Sequence, residues 1–306
     1  MSANKEMSTK VKVAIGGGLL ITLLVALFGI FGSTGRNDTF QPQNEFKLDP
    51  WVPLKLGPLD MSINKGVMYV FIAAALSTWI MVRISKRMTE RPNNTQTAVE
   101  AAYDFAANQI VRSNIADRRL ATKWFPFIAT LFFFILVSNL IGYIPLPTNT
   151  EHTISVFGLT IPSFAIYAAT ANVSIPLVLT LMVVSIYHYE GIRAKGPINY
   201  VKGWLPSGTP KAITPLILVI EVISQFVRVI SLSVRLFANL LAGHLLILFM
   251  GGGLVVILGL AAIGALTLPV AILFFMFEVV LIAGLQAFIF ATLTSIYLGE
   301  AVAEGH

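Results

Sequence analysis

The chain has 306 residues and a formal net charge of +6, with 56% hydrophobic and only 12% charged residues. A soluble domain carries about twice that charged fraction, so the composition predicts an all-α protein with several membrane spans. The absence of cysteine excludes disulfides and thiol chemistry, and four scattered histidines without an HxxH or HExxH pair argue against a metal site.

The first apolar run covers residues 1–32, with its apolar part at 11–32 behind several lysines. That part is long for the core of a signal peptide, and "FGSTG" after it is a poor cleavage site. We therefore favour a retained span, with a cleaved signal peptide as the alternative. Residues 33–63 are polar and predict an extracytoplasmic loop, and residues 64–306 form the predicted membrane domain.

Three spans of ordinary length are predicted next, at 66–84, 124–144 and 163–187. The segment 94–120 is polar throughout and amphipathic at helical spacing, which predicts a helix at the cytoplasmic surface. Lysine and arginine cluster after the second and fourth spans, so both loops and the N-terminus are expected in the cytoplasm and loop 145–161 outside.

The C-terminal tail is expected on the extracytoplasmic side. A bacterial plasma membrane is expected rather than an organelle, because the chain has no transit peptide rich in Arg and Ser. No nucleophile triad, phosphate loop or hydride-cofactor fingerprint is present, so no cofactor is expected.

Two long apolar segments end the chain. Residues 212–250 would form a helix of about 58 Å, well beyond a hydrocarbon core of about 30 Å. The segment lacks the turn residues that a tight hairpin needs, so we predict one steeply tilted helix with a break at 251–253. Residues 254–299 are as long and contain Pro269, which predicts a kink. Together they form a long slanted helical hairpin.

Arg235 lies inside the first of these segments. Its guanidinium stays charged at any working pH, which is costly at membrane depth without a partner. The nearest acid on the segment is Glu221, about 21 Å away along a helix. A carboxylate from Glu278 or from another chain would satisfy the charge; snorkelling or bonds to backbone carbonyls are the alternatives.

Further polar residues share these segments. His244 is about 900° of rotation from Arg235 and points the other way, toward Glu278 or Glu221. Such a pair is either a proton relay or a structural hydrogen bond. Gln286 is expected opposite Arg235, as an amide acceptor or as interhelical glue. One helical stripe contains Arg228, Ser231, Arg235 and Asn239. Three weaker half-channel candidates lie in the third and fourth spans: Asn139, Asn172 and Ser174. We expect each of them either to line a wet cavity or to bridge helices.

The stretches "SLSVRLFANLLAGHLL" at 231–246 and "LQAFIFATLTSIYL" at 285–298 resemble subunit a of F-type ATP synthases, over roughly residues 58–301. The resemblance implies a five-span core, to which the first apolar run is an addition. It also implies a non-catalytic, proton-conducting stator beside a ring of c subunits, held by peripheral-stalk b subunits. Two offset half-channels would carry protons to and from the ring carboxylate during ATP synthesis.

The resemblance also implies roles for single residues. Arg235 would separate the half-channels and attract the deprotonated ring carboxylate, with Asn239 and Gln286 near it. His244 and Glu278 would belong to the outer half-channel. Glu278 precedes Gln286 by eight residues rather than the usual seven, which rotates it by about 100° unless a π-bulge absorbs the extra residue. Gly142 and Asn172 stand where some relatives have Asp.

Two alternatives come from other classes of protein. A secondary transporter with a buried arginine for an anionic substrate would show an inverted repeat and matched helix breaks, and the sequence shows neither. A membrane scaffold would use Arg235 as a structural tie.

Overall fold

The computed structural model describes Gly18, Thr22 and residues 48, 50–51, 53–56, 59–60, 62–144, 154–156, 159–161, 168–205, 210, 212–250 and 261–303. Its α-helices are α1 (Lys65–Ser85), α2 (Asn94–Phe105), α3 (Arg118–Gly142), α4 (Ser174–Lys195), α5 (Pro197–Lys202), α6 (Thr214–Leu248), α7 (Ala261–Phe277) and α8 (Gly284–Val302). Two π-helical segments, Ala106–Arg112 and Glu278–Ala283, and one 3-10 turn, Ala169–Ala171, complete the helical part.

Two short antiparallel hairpins lie within the predicted loops. Strand β1 (Lys55–Leu56) pairs with β2 (Leu59–Asp60), with Lys55 opposite Asp60. Strand β3 (Ile154–Val156) pairs with β4 (Leu159–Ile161), with Ser155 opposite Thr160. The membrane domain itself is helical, which confirms the predicted all-α class.

Within the described residues, five helices are long and apolar enough to cross a membrane: Lys65–Ser85, Arg118–Gly142, Ser174–Lys195, Thr214–Ile247 and Thr267–Val302. They confirm the five-span core, and the first two lie close to the predicted spans at 66–84 and 124–144. The predicted span at 11–32 falls outside the described residues, apart from Gly18 and Thr22, whose hydroxyl donates to the Gly18 carbonyl at 2.8 Å.

The fourth span differs from the prediction of 163–187, because α4 begins at Ser174 and ends at Lys195. Before it, the Asn172 side chain accepts a hydrogen bond from the Ser174 backbone N–H at 2.9 Å, which satisfies a free N–H at the helix start. Gly196 ends the helix with a φ of +78°, a conformation that favours glycine. Apolarity alone does not distinguish the turn before Ser174 from helix.

The long helix α6 is unbroken from Thr214 to Leu248, as predicted. Its 35 residues span about 52 Å at 1.5 Å per residue. The predicted break at 251–253 lies outside the described residues, and the tilt stays a prediction. The π-helical segment Glu278–Ala283 follows α7 directly and leads into α8.

The chain divides into two compact units, residues 1–45 with 243–277 and residues 46–242 with 278–306. In the first unit, the described residues are Gly18, Thr22, the end of α6 with residues 249–250, and helix α7. In the second unit, α3, α4 and α8 form the central packing, with α1 against α3. Ile128 and Ile135 of α3 and Phe290 of α8 are among its fully buried side chains.

The direction of these central helices follows from their contacts. Lys123 near the start of α3 meets Glu190 near the end of α4, so the two helices are antiparallel. Asn139 near the end of α3 meets Ala283 just before α8, so α3 and α8 are antiparallel as well. Helices α4 and α8 therefore run in the same direction, and Tyr187 and Tyr297 are in ring contact.

The amphipathic segment predicted at 94–120 is two elements rather than one helix. Helix α2 continues as a π-helical segment to Arg112, and α3 begins at Arg118 behind the Asp117 cap. Phe105 makes ring contacts with Phe132 and Phe288, so the segment packs against α3 and α8. Its location at the membrane surface stays a prediction.

Gly299 marks a close approach between α8 and the segment before α3. A Cβ atom at Gly299 would lie 2.7 Å from the Asn114 carbonyl oxygen, whereas a Cβ at Gly284, on the same helix, would meet nothing within 4 Å. We expect Gly299→Ala to destabilise the protein by about 1–3 kcal/mol through overpacking. Gly284→Ala is expected to be neutral or stabilising, by up to about 1 kcal/mol of helix propensity.

Thermal unfolding of the complex in detergent measures this difference. Equal unfolding temperatures for the two variants would contradict the close contact at Gly299.

Candidate functional site

Helix α6 exposes an apolar face with Arg235 beside it. Leu232, Leu236 and Leu240 are buried and fix the face that packs against the protein. Ile230 and Val234 are exposed on the neighbouring face. The Arg235 side chain is exposed next to them, so it points away from the interior of the described unit.

The polar neighbour of the Arg235 guanidinium is Ser231, whose hydroxyl accepts a hydrogen bond at 3.4 Å. This contact agrees with the predicted stripe of residues one turn apart. In the described part of the chain, Arg235 has no ion pair with a carboxylate. Gln286 is 5% exposed and makes no hydrogen bond to Arg235 within that part, so the predicted contact between them is absent there.

Arg228, two turns before Arg235 on α6, has a carboxylate partner. Its guanidinium lies 3.7 Å from the Glu300 carboxylate and over the Tyr297 ring at 4.9 Å. The two arginines of the stripe therefore differ in their partners. Arg228 ties α6 to α8, whereas Arg235 presents its charge on the exposed face.

Asn139 is fully buried where α3 meets the second π-helical segment. Its amide donates to the Ala283 carbonyl at 3.2 Å, and its carbonyl oxygen accepts from the Thr170 hydroxyl at 2.7 Å. These bonds join three segments of the chain, so Asn139 bridges helices, which is one of the two roles that the sequence left open. Thr170 had no signal in the sequence, because its partner is 31 positions away.

Glu278 is 3% exposed and begins the second π-helical segment. Its Oε2 atom has no hydrogen-bond donor among the described residues. The Tyr143 hydroxyl lies close enough to interact with the carboxyl group. The π-helical segment begins at Glu278 and ends before Gln286. It therefore adds one residue to the turn between them, which is the extra residue that separates this chain from the usual spacing.

A polar cavity of about 190 Å³ lies where α4, α6 and α8 come together. The Tyr187 hydroxyl donates to Gln225 Oε1 at 2.7 Å, and the Gln225 amide donates to Glu221 Oε1 at 3.0 Å. The cavity is also lined by Lys195, Tyr200, Gly203, Trp204, Arg228, Tyr297, Glu300 and Ala301. The sequence predicted Glu221 and Arg228 but not Tyr187 or Gln225.

Tyr200 closes one side of this cavity from the short helix α5. Its hydroxyl lies 2.9 Å from His188 Nδ1. Burial raises the pKa of Tyr200, so the hydroxyl keeps its proton at neutral pH and is able to donate a hydrogen bond.

Lys123 and Glu190 form a second polar contact that the sequence did not predict. The Lys123 ammonium lies 2.7 Å from the Glu190 carboxylate, whose side chain is 7% exposed. A buried carboxylate needs such a partner, because its desolvation is costly. Single-sequence patterns report neighbours on one helix, and these residues are 67 positions apart.

The remaining predicted residues fall in several places. Asn172 and the exposed Ser174 belong to the start of α4, where Asn172 binds the backbone; a role in a half-channel stays a prediction for both. Asn239 is half-buried on α6. His244 is half-buried near the end of α6, in the other unit. Its pairing with Glu278 stays a prediction.

The C-terminal end of α8 lies beside the predicted cytoplasmic loops. Gly299 packs against Asn114, and Glu300 lines the cavity together with Lys195 and Gly203. An extracytoplasmic C-terminus is therefore inconsistent with cytoplasmic loops at these positions. The side of the membrane on which either terminus lies stays a prediction.

The family described as ATP synthase A chain matches residues 67–299, which include α2 to α7 and nearly all of α1 and α8. The chain belongs to this family. It is 33% identical over 271 residues to the protein named "ATP synthase subunit a" in Brucella canis and in Brucella abortus (strain S19). The alignments cover 87% of this chain and 98% of each relative. The protein of that name in Brucella ovis has the same identity and coverage.

Membership in the ATP synthase A chain family confirms the resemblance drawn from the two motifs. It supports a proton-conducting membrane subunit that is part of a multi-subunit ATP synthase. The five apolar helices agree with a multi-pass membrane location. The family finding favours this interpretation over a secondary transporter or a scaffold. The exposed position of Arg235 also differs from the buried arginine that a transporter would use.

Proposed function

We propose that this chain is the proton-conducting stator of a rotary ATP synthase and that Arg235 acts on a carboxylate of the neighbouring c-subunit ring. The observation that carries the proposal is the contrast between two arginines on one stripe of α6. Arg228 has Glu300, whereas Arg235 is exposed on an apolar span without an ion pair in the described part of the chain. A carboxylate from another chain supplies the missing charge.

The chemistry of the guanidinium fits this task. An arginine beside a carboxylate lowers the pKa of that carboxylate, which favours release of its proton as it arrives. The arginine itself does not deprotonate, so it provides no site for a proton crossing directly between the two sides. Ser231, one turn away, holds the guanidinium on the exposed stripe.

The outer half-channel is proposed to involve Glu278, His244 and Gln286, with Asn239 near Arg235. Glu278 supports this assignment because its buried Oε2 atom has no hydrogen-bond donor among the described residues. Such an oxygen is satisfied by a proton or by water, and a proton path supplies both. The Asn139 amide donates to the carbonyl of Ala283, the last residue of the π-helical segment that begins at Glu278, and so fixes this segment.

The inner half-channel is proposed to open through the polar cavity of α4, α6 and α8. Glu221 is its exchangeable group, and Tyr187 and Gln225 position it through two hydrogen bonds. Glu221 lies about 21 Å along α6 from Arg235, so the entrance and the arginine are separated by roughly four helical turns.

The basic loops assign this cavity to the cytoplasmic side of a bacterial plasma membrane. The C-terminus then lies on the cytoplasmic side, because Gly299 packs beside Asn114. If residues 11–32 form a retained span, the N-terminus is cytoplasmic as well. The c-subunit ring and the peripheral-stalk b subunits are the proposed partners.

ATP-driven proton uptake into inverted membrane vesicles tests the function. Vesicles whose ATP synthase contains this chain are expected to acidify on addition of ATP. Vesicles that lack the chain are expected to hydrolyse ATP without acidification, and restoring the chain restores uptake. If vesicles that lack the chain acidified on addition of ATP as fast as vesicles that contain it, the proposal would be contradicted.

The hydrogen bond from Tyr187 provides a second prediction. Tyr187→Phe removes the hydroxyl that holds Gln225, so we expect proton uptake to fall about two- to tenfold, the effect of one lost hydrogen bond. Tyr189→Phe is the matched control, because Tyr189 is exposed on the same helix. Uptake per assembled complex measures both variants; equal rates would remove Tyr187 from the path.

A further inference from the structure

Helix α1 presents a groove that the proton path does not use. The groove has a volume of about 700 Å³ and an apolar wall that begins at Phe71 and ends at Val82. Among the described residues, the groove is also lined by Ala74, Ala75, Thr78, Trp79, Arg83, Lys86 and Arg87. The groove is therefore apolar along most of its length and basic at one end.

A second cavity adjoins the basic end of the groove. Its volume is about 320 Å³, and it shares Trp79, Arg83 and Arg87 with the groove. On its other side it is lined by polar residues at the start of α2, including Asn93 and Thr95. The apolar groove and the polar cavity are therefore neighbours, with Trp79, Arg83 and Arg87 between them.

The three cations at this end have no carboxylate partner in the described part of the chain. Arg83, Lys86 and Arg87 are all exposed, and neither of the ion pairs found there includes them. Arg83 lies over the Trp79 ring at 5.2 Å, which holds the guanidinium near the groove. Tryptophan and basic residues together are typical of the membrane–water interface.

We propose that this groove binds an anionic phospholipid. Its phosphate lies between Arg83 and Arg87 with Lys86 nearby, and an acyl chain follows the wall from Phe71 to Val82. That wall is about 16 Å long at 1.5 Å per residue. Arginine binds phosphate through paired hydrogen bonds, and exposed apolar side chains pack against the acyl chain.

The charge of the site decides between possible occupants. Three cations without a carboxylate partner among the described residues disfavour an apolar helix with no acidic group and favour an anionic headgroup. A free phosphate would satisfy the cations but leave the apolar wall uncovered. A lipid with both a phosphate and an acyl chain matches both parts. This inference does not depend on the proposed proton path.

Quenching of Trp79 fluorescence by lipids with brominated acyl chains tests the proposal. The whole ATP synthase is reconstituted in phosphatidylcholine vesicles that contain brominated phosphatidylglycerol or, in parallel, brominated phosphatidylcholine. The fluorescence of Trp79 is obtained as the difference between the unmodified protein and the Trp79→Phe variant. We expect phosphatidylglycerol to quench it at least about fivefold more effectively, the preference expected from one basic side chain at an anionic headgroup.

Charge removal provides the second arm of the experiment. In the triple variant Arg83→Gln, Lys86→Gln, Arg87→Gln, we expect both lipids to quench Trp79 equally. In Arg83→Gln alone, we expect part of the preference for phosphatidylglycerol to be lost. A matched triple variant that removes exposed cations elsewhere, Arg119→Gln, Arg193→Gln, Lys202→Gln, is expected to keep the preference.

Three outcomes would overturn the proposal. Equal quenching by both lipids in the unmodified protein would show a groove without headgroup preference. A preference for phosphatidylglycerol that persists in the triple variant at Arg83, Lys86 and Arg87 would mean that another site causes the preference. Absence of quenching by either lipid would show that a partner chain covers α1 in the complex.

Discussion

Arg235→Gln is expected to abolish ATP synthesis while the complex still assembles. The side chain is exposed beside an apolar face and makes one long hydrogen bond, to Ser231, so the fold loses little when the charge is removed. The proposed contact with a ring carboxylate loses its cation. Because removing one partner of a desolvated ion pair costs about 3–5 kcal/mol, the rate of synthesis should fall by at least about 100-fold.

The same variant is expected to make the membrane more permeable to protons, since the fixed positive charge between the two paths is gone. Arg193→Gln is the control for loss of one positive charge, because Arg193 is exposed at the end of α4. Assembly, ATP synthesis and passive proton flux are measured in the same vesicles. Synthesis near the unmodified rate in Arg235→Gln would remove Arg235 from the mechanism.

Arg235→Lys separates the permanent charge from charge in general. A lysine shifts its pKa readily in a desolvated site and is able to release its proton there, whereas an arginine is not. We therefore expect Arg235→Lys to lose most of the synthesis as well. Full activity with lysine would mean that any cation at this position is sufficient.

The long helix and its charged stripe were predictable because both depend on spacing along one helix. A run of apolar residues from 212 to 250 sets the length, and a three- or four-residue spacing brings Ser231 beside Arg235. The extra residue between Glu278 and Gln286, relative to the spacing that the resemblance implies, left either a rotated Glu278 or a π-bulge, and the structure has a π-helical segment there. In each case the information lies within a few helical turns.

The contacts between helices were not predictable from one sequence. Glu190 binds Lys123, and Tyr187 binds Gln225, each across long stretches of chain. No local pattern indicates which helices become neighbours. The role of Asn172 at the start of α4 was equally hidden, because its hydrogen bond to the Ser174 backbone depends on where the helix begins.

Glu278→Gln provides the second large effect, and Glu190→Gln is its matched control. Both carboxylates are buried, but they differ in partner: Glu190 has Lys123 at 2.7 Å, and the Glu278 Oε2 atom has no donor among the described residues. A buried carboxylate with a cation is a structural pair, and its loss reduces stability. Glu278 has no cation beside it in the described part of the chain; the Tyr143 hydroxyl interacts with its carboxyl group, and the Oε2 atom is left to bind and release a proton.

We therefore expect opposite effects of the two substitutions. Glu278→Gln keeps the shape of the side chain but cannot exchange a proton, so proton flux per assembled complex should fall on the order of 100-fold, the lower range for loss of a proton-transfer group. Its unfolding temperature should not fall. Glu190→Gln should lower the unfolding temperature and leave flux per assembled complex nearly unchanged. If Glu278→Gln lowered only stability, Glu278 would be structural, and the outer path would have to use other residues, with His244 the first to test.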